Sequence, residues 1–262
     1  MAQSDILYLV INLEASVNRR EAMRRQAEEF GISVRFVPAV CGATLTAEER
    51  ACYDERKLRR YYNYTLSANE IACALSHRKA MCLFLESEAE YAVILEDDAR
   101  FAPYFHAGIR ELTEHLRGWE VAKLNINRPG TWPLPQVVDI EGASGVRPVF
   151  SRKFGSDAVG FAYTRHAAQV IYEAMESIWL PADSTIYQCI LQHQLATIAL
   201  PVLTQGLTDD ESTIDSGAPA GRGMGRRRSF LQSLRHRIRR LANNALKKKL
   251  YRKTRQEVRR EE

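Results

Sequence analysis

With 262 residues, 45% of them hydrophobic and 26% charged, the chain has the make-up of a globular protein with one sizeable core. No apolar run approaches the roughly 18 residues that crossing a bilayer requires, and the opening MAQSDILYLVINL lacks the basic stretch and small-residue cleavage site of a secretory signal, so neither is expected. The net charge of +5 is unevenly spread: residues 219–262 hold 16 Lys and Arg against 3 acidic residues, leaving the first 218 residues net acidic.

That asymmetry predicts two parts, an acidic α/β domain over residues 1–218 and a basic tail over residues 219–262. Five scattered cysteines (Cys41, Cys52, Cys73, Cys82, Cys189), odd in number and without a Cys-x-x-Cys pair, point to reduced thiols in a cytosolic compartment.

In chain order, residues 5–12 (DILYLVIN) read as a buried strand. A polar helix is expected over 16–30, stopped by Gly31, and a second strand over 33–37. A loop from Pro38 leads into a charged, tyrosine-rich stretch ending at Tyr64. Ser67 with Glu70 three residues on forms a capping box that opens a helix through Glu86. Residues 91–95 (YAVIL) make a short apolar strand, followed at once by Glu96, Asp97 and Asp98. A helix over 104–116, a strand over 120–125 and a rigid proline-rich loop over 128–135 come next. Strands are expected at 137–140, 146–150, 158–163 and 196–203, and helices at 165–177 and 184–194. This alternation predicts an α/β fold, a mostly parallel sheet with helices on both faces.

Open α/β sheets bind ligands beyond the carboxyl ends of their strands, where Glu96, Asp97 and Asp98 stand. Three adjacent acids repel one another, and a divalent cation bridging to phosphate oxygens offsets that repulsion; Mg²⁺ and Mn²⁺ prefer such ligands. Asp98 and Asp97 are the candidate metal ligands, with Glu96 and Asp97 also candidates for substrate contacts; a solvated turn is the alternative. A haloacid-dehalogenase phosphatase needs Asp-x-Asp-x-Thr, which Asp97-Asp98-Ala99-Arg100 does not supply, and the Asp-then-Pro pattern of a phosphorelay receiver is missing around Asp139. No GxGxxG is present, which removes the usual dinucleotide device.

Arg19 and Arg20, just past the first strand, are candidate phosphate contacts, or else part of a solvated helical turn. Asn12 and Asn125 end strands and are candidates for ligand contact, with strand capping as the alternative. Glu70, Cys73 and His77 share one helical face, yet no further ligand pattern completes a Cys73–His77 metal pair.

Several blocks together resemble glycosyltransferase family 25, the enzymes of lipopolysaccharide and lipooligosaccharide synthesis. They are Ile11-Asn12-Leu13 with Arg19-Arg20-Glu21, Leu66-Ser67-Ala68-Asn69-Glu70-Ile71 running on to Ser76-His77, Ile94-Leu95-Glu96-Asp97-Asp98, Lys123-Leu124-Asn125, and Pro181-Ala182-Asp183. Gln205 and Ser212-Thr213-Ile214 close the match, which runs over roughly residues 5–215.

The resemblance implies a GT-A-type nucleotide-sugar-binding fold, a UDP-sugar donor, a divalent cation (Mn²⁺ or Mg²⁺) and inversion at the anomeric carbon. It further implies transfer of a hexose, commonly galactose, to a glycolipid core acceptor. Ser76 and His77 gain a substrate-binding role from it, and Asp183 becomes the candidate base for the acceptor hydroxyl's proton, with helix capping as its other reading and Asp157 as a rival. The chain departs from the family at Phe161 and at residues 164–168, a region tied to acceptor choice. Competing readings are another metal-dependent phosphoryl or nucleotidyl transferase and a non-catalytic membrane-associated scaffold.

In the tail, Leu231, Leu234, Ile238, Leu241 and Ala245 are spaced 3, 4, 3 and 4 and so lie on one helical face, with Arg235, Arg237, Arg239 and Arg240 on its flanks and far side. A basic amphipathic helix predicts attachment to an anionic membrane surface, where each Lys or Arg is worth roughly 1 kcal/mol. The expected location is cytoplasmic, peripheral on the inner face of the plasma membrane. Nucleic acid is the weaker partner, because the domain is acidic and the tail's aromatics are only Phe230 and Tyr251.

Overall fold

The structure, a computed structural model, describes residues 6–126, 131–135, 137, 139–140, 146–151, 157–205 and 230–261. β1 (Ile6–Asn12) ends in four buried residues, as its apolar run predicts. α1 (Val17–Glu29) turns Met23 and Ala27 inward and is followed by Gly31 at φ 64, a left-handed backbone that suits glycine. β2 (Val34–Pro38) pairs with β1 in parallel.

The tyrosine-rich stretch holds two five-residue helices, α2 (Ala47–Ala51) and α3 (Glu55–Arg59), capped by Thr46 and Asp54. Helices this short carry too little periodicity to be seen in a hydrophobic pattern.

α4 (Ala68–Leu85) has both bonds of the expected capping box: Glu70 N donates to Ser67 Oγ at 3.2 Å and Ser67 N to Glu70 Oε2 at 2.8 Å. It packs on β1, β2 and β3. β3 (Tyr91–Glu96) pairs with β1 in parallel, and β4 (Ala99–Phe101) follows. The helix expected over 104–116 is shorter: α5 (Phe105–Arg110) widens into a π-helical turn (Glu111–His115) and ends at β5 (Leu116–Arg117). The Trp119 indole takes up Leu112 O there at 2.7 Å, a partner from outside the helix.

β6 (Val121–Lys123), β7 (Thr131–Pro133), β8 (Val149–Ser151) and β9 (Gly160–Thr164) follow, then α6 (Arg165–Ala174) and α7 (Ala182–His193). The strand expected over 196–203 is divided, Pro201 lying between β10 (Thr197–Ala199) and β11 (Leu203–Gln205). Near the expected strand over 137–140, Val137 N instead closes a turn onto Leu134 O.

The main sheet runs β2-β1-β3-β9-β6-β10-β8-β7. β2–β1, β1–β3 and β6–β10 are parallel, while β9 lies antiparallel between β3 and β6, and β8 is antiparallel to β10 and β7. This mixed α/β sheet with packed helices is GT-A-like. Its core joins Leu9, Ile94, Leu95, Phe161, Ile198 and the neighbouring helices in one cluster. At Gly160 the side chains close in, and a Cβ there would stand 2.2 Å from Leu203 Cδ1 and 3.0 Å from Leu95 Cδ2.

The basic tail forms α8 (Phe230–Glu257), followed by β12 (Arg259–Arg260), which pairs antiparallel with β5. Leu250, Thr254 and Val258 are buried against the rest of the chain. A Cβ at Gly118 would come within 2.1 Å of Glu257 O, so this end of the helix sits close on the strand. The apolar stripe lies on the opposite side: Phe230, Leu231, Leu234, Ile238 and Leu241 are 44–81% exposed. No helix among the described residues is long and apolar enough to cross a membrane.

Candidate active site

Strand register assembles the site. Ile11 stands opposite Glu96, Leu95 opposite Gly160, and Lys123 opposite Phe161. Because β9 runs against β3 and β6, its beginning lies beside their ends. Asn12, Glu96–Asp98, Asp157 and Lys123–Asn125 are thereby brought to one edge of the sheet.

Asp97 is braced at this edge. Its Oδ2 accepts from Asn12 Nδ2 at 2.7 Å and its Oδ1 from an Arg19 guanidinium nitrogen at 3.2 Å. Arg20 Nε in turn donates to Asn12 Oδ1 at 2.8 Å, so the first turn of α1 fixes both the asparagine and the acid.

Asp98 is different. Its Oδ1 is buried and has no hydrogen-bond partner among the described residues. Burial, then the charges of Glu96 and Asp97, push its carboxyl up to about 6 against the opposing pull of Arg19. An acceptor left bare in this way costs free energy that a bound group would recover. The donor is a carboxylate oxygen among other acids, which suits a hard dication such as Mg²⁺ or Mn²⁺.

Glu96 turns toward α4. Its Oε1 lies 3.2 Å from His77 Nε2 and accepts from Cys73 Sγ at 3.8 Å. Cys73 and His77 are one helical turn apart, and the strand end supplies the third partner that the sequence pattern lacks. Burial, followed by the charges of Glu96, Asp183 and Asp98, pushes the Cys73 thiol well up, which places these acids in one electrostatic neighbourhood. Ser76 is directed elsewhere: its Oγ accepts from Val40 N and donates to Ala72 O, both at 2.8 Å, tying the loop after β2 to α4.

A second group forms beside the first. Asp157 receives Lys123 Nζ at 3.3 Å on one oxygen and Asn125 Nδ2 at 3.0 Å on the other. Asp183 sits in the first turn of α7, one residue inside the helix, with Pro181 rather than Asp183 at the capping position. Its Oδ1 accepts from Ser184 N at 2.6 Å. Burial raises its carboxyl and Asp157 adds to the rise, while Ser184 and Lys123 oppose it.

Lys123 is a buried lysine that the sequence reading did not select as a site residue. Its signal was present, since Lys123 and Asn125 alternate along one apolar strand and therefore share a face. A cationic amine and paired carboxylates at one sheet edge give the chemistry of charge neutralisation and proton transfer.

A mixed α/β sheet carrying acids just past the carboxyl end of β3 is consistent with a glycosyltransferase of GT-A-like fold. The profile of Glycosyltransferase family 25 (LPS biosynthesis protein) matches residues 6–186, and the chain belongs to that family. It is 37% identical over 112 residues to a Glycosyltransferase 25 family member of Drosophila pseudoobscura pseudoobscura, covering 41% of this chain and 18% of that protein. To procollagen galactosyltransferase 2 of Homo sapiens it is 26% identical over 206 residues, covering 67% and 33%. To procollagen galactosyltransferase 1-B of Xenopus laevis it is 32% identical over 120 residues, covering 44% and 19%. The chain thus spans a third or less of the length of these relatives.

Proposed function

We propose that this protein transfers a hexose, galactose foremost, from a UDP-sugar to a hydroxyl of a glycolipid core acceptor, with inversion at the anomeric carbon. The observation that carries the reading is the bare, buried oxygen of Asp98 at the edge of the sheet, in a chain of this family. Galactose is favoured by the names of the relatives, and a lipopolysaccharide-type acceptor by the family description.

A divalent cation held by Asp98 would supply charge neutralisation for the departing diphosphate. Asp97, braced by Asn12 and Arg19, keeps the strand end in place beside it and remains a candidate second ligand or ribose contact. Arg20 acts through Asn12, and Arg19 holds a positive charge next to the donor. Lys123 and Asn125 orient Asp157 toward the same edge. Asp183 takes the proton of the acceptor hydroxyl as that oxygen bonds to the anomeric carbon. The bond to UDP breaks with its electron pair leaving on the diphosphate. Burial raises the proton affinity of Asp183, as a base working near neutral pH requires.

The exposed apolar stripe of α8, flanked by arginines, supports peripheral attachment to an anionic membrane, on the cytoplasmic side, where a lipid-linked acceptor would be met.

The test is UDP release with UDP-galactose, UDP-glucose and UDP-N-acetylhexosamines, with and without Mn²⁺, in the presence of lipooligosaccharide or a collagen-type peptide. We expect acceptor-dependent release with one hexose donor, dependent on the cation and on the lipooligosaccharide. Asp183→Asn should lower kcat by about a hundredfold to ten-thousandfold with the donor KM little changed. Release with the collagen peptide alone would move the acceptor to protein, and full activity of Asp183→Asn would remove it as the base.

A further inference from the structure

We infer that Cys73, His77 and Glu96 form a site for a thiophilic divalent cation, of which Zn²⁺ is the type, separate from the hard-cation position at Asp98. The three ligand atoms lie within 4.8 Å of one another. Two of the spacings are 3.2 Å between His77 Nε2 and Glu96 Oε1 and 3.8 Å between Cys73 Sγ and the same oxygen. Around a tetrahedral zinc, with bonds of about 2.0 to 2.3 Å, the ligand atoms stand roughly 3.3 to 3.8 Å apart. The two spacings to the Glu96 oxygen fall at or close to that range, and the third is no more than 4.8 Å.

The ligands come from two rigid elements. Cys73 and His77 project from neighbouring turns of α4, and Glu96 is the last residue of β3. His77 is 1% exposed, and its ring has no room to be a casual surface histidine. Sulfur, imidazole nitrogen and a carboxylate oxygen make a mixed donor set that zinc accepts and that Mg²⁺ does not.

Three protein ligands leave a fourth position open to water or substrate. The nearby acids Asp98 and Asp183 make the surroundings attractive to a dication. On binding, the Cys73 S–H proton, now directed at Glu96, leaves for solvent and the thiolate sulfur bonds the metal. No electron changes hands.

The inference does not rest on the proposed sugar transfer, and its test reads metal and not turnover. The purified full chain, stripped with chelator, is titrated with Co²⁺ as a spectroscopic stand-in. A near-ultraviolet thiolate-to-cobalt band should rise to one equivalent and be displaced by Zn²⁺. Cys73→Ser, a nearly isosteric change, should abolish the band while far-ultraviolet circular dichroism stays that of the parent. His77→Gln should weaken cobalt binding by at least about tenfold, the loss seen even for outer-sphere partners of metal sites. Asp98→Asn should leave the band intact, which separates this site from the catalytic one. Absence of the band in the parent chain, or its persistence in Cys73→Ser, would overturn the inference.

Discussion

Asp98 illustrates how a side chain can be costly to the fold and useful to it. Its native carboxyl, at about 6, lies above the ordinary 3.8. A carboxyl raised in this way favours the native state while protonated; that contribution is present below about pH 4 and is lost as pH rises through 6. At pH 7.5 without divalent cation, Asp98→Asn should therefore be more stable than the parent by about 1–2 kcal/mol, solvent reach allowed for. The difference should vanish near pH 4, and Mn²⁺ should raise the melting temperature of the parent only. Equal melting curves for the two proteins at pH 7.5 would contradict this account.

The acids themselves were legible from the apolar strand before them. Which acid is braced and which is bare was not, because Asn12 and Arg19 stand 85 and 78 residues away from Asp97 in the chain. The same distance effect hid Glu96 as the partner of Cys73 and His77.

Among the elements, the long periodic or capped ones could be read directly: β1, α1, α4 and β3 stand where the sequence puts them. α2 and α3 escaped notice through their brevity, and the π turn after α5, where the Trp119 indole donates to Leu112 O, is announced by no local pattern.

The join between α4 and α6 shows another long-range device. The Arg165 guanidinium faces four carbonyls at and just after the end of α4: Nη2 donates to Leu85 O at 2.6 Å, and Nη1 shares its two hydrogens among Ser87 O at 2.9 Å, Ala89 O at 3.0 Å and Phe84 O at 3.3 Å. An ammonium has three donors on a single nitrogen and does not reproduce a planar fork. Arg165→Lys should cost about 1.5–3 kcal/mol in urea unfolding, the worth of a charged hydrogen bond. An unchanged midpoint would show the carbonyls to be satisfied without the fork.

For the whole molecule, the charge step near residue 218 and the 3–4 spacing of the tail both came from sequence, and the stripe does lie on one face. The sequence did not reveal which face meets the domain, since the docking side is largely polar. Gln232 Nε2 donates to Arg59 O at 2.9 Å, and Lys253 Nζ to Gln194 O at 2.7 Å, in company with buried Leu250 and Val258. Two alterations of the tail should then behave differently. Replacing Leu231, Leu234, Ile238 and Leu241 by serine should leave the melting temperature unchanged and abolish flotation with anionic vesicles. Deleting residues 219–262 should lower the melting temperature as well, because it removes buried side chains and β12. Flotation that survives the serine replacements would exclude the stripe as the attachment surface.

Arg239 lies over the rings of Tyr61, Tyr62 and Trp179 and donates to Gln188 Oε1 at 2.6 Å. Gln188 belongs to α7, little more than one helical turn beyond Asp183. One guanidinium thus ties the basic tail to the helix that bears the proposed base, so tail and site share a single polar anchor.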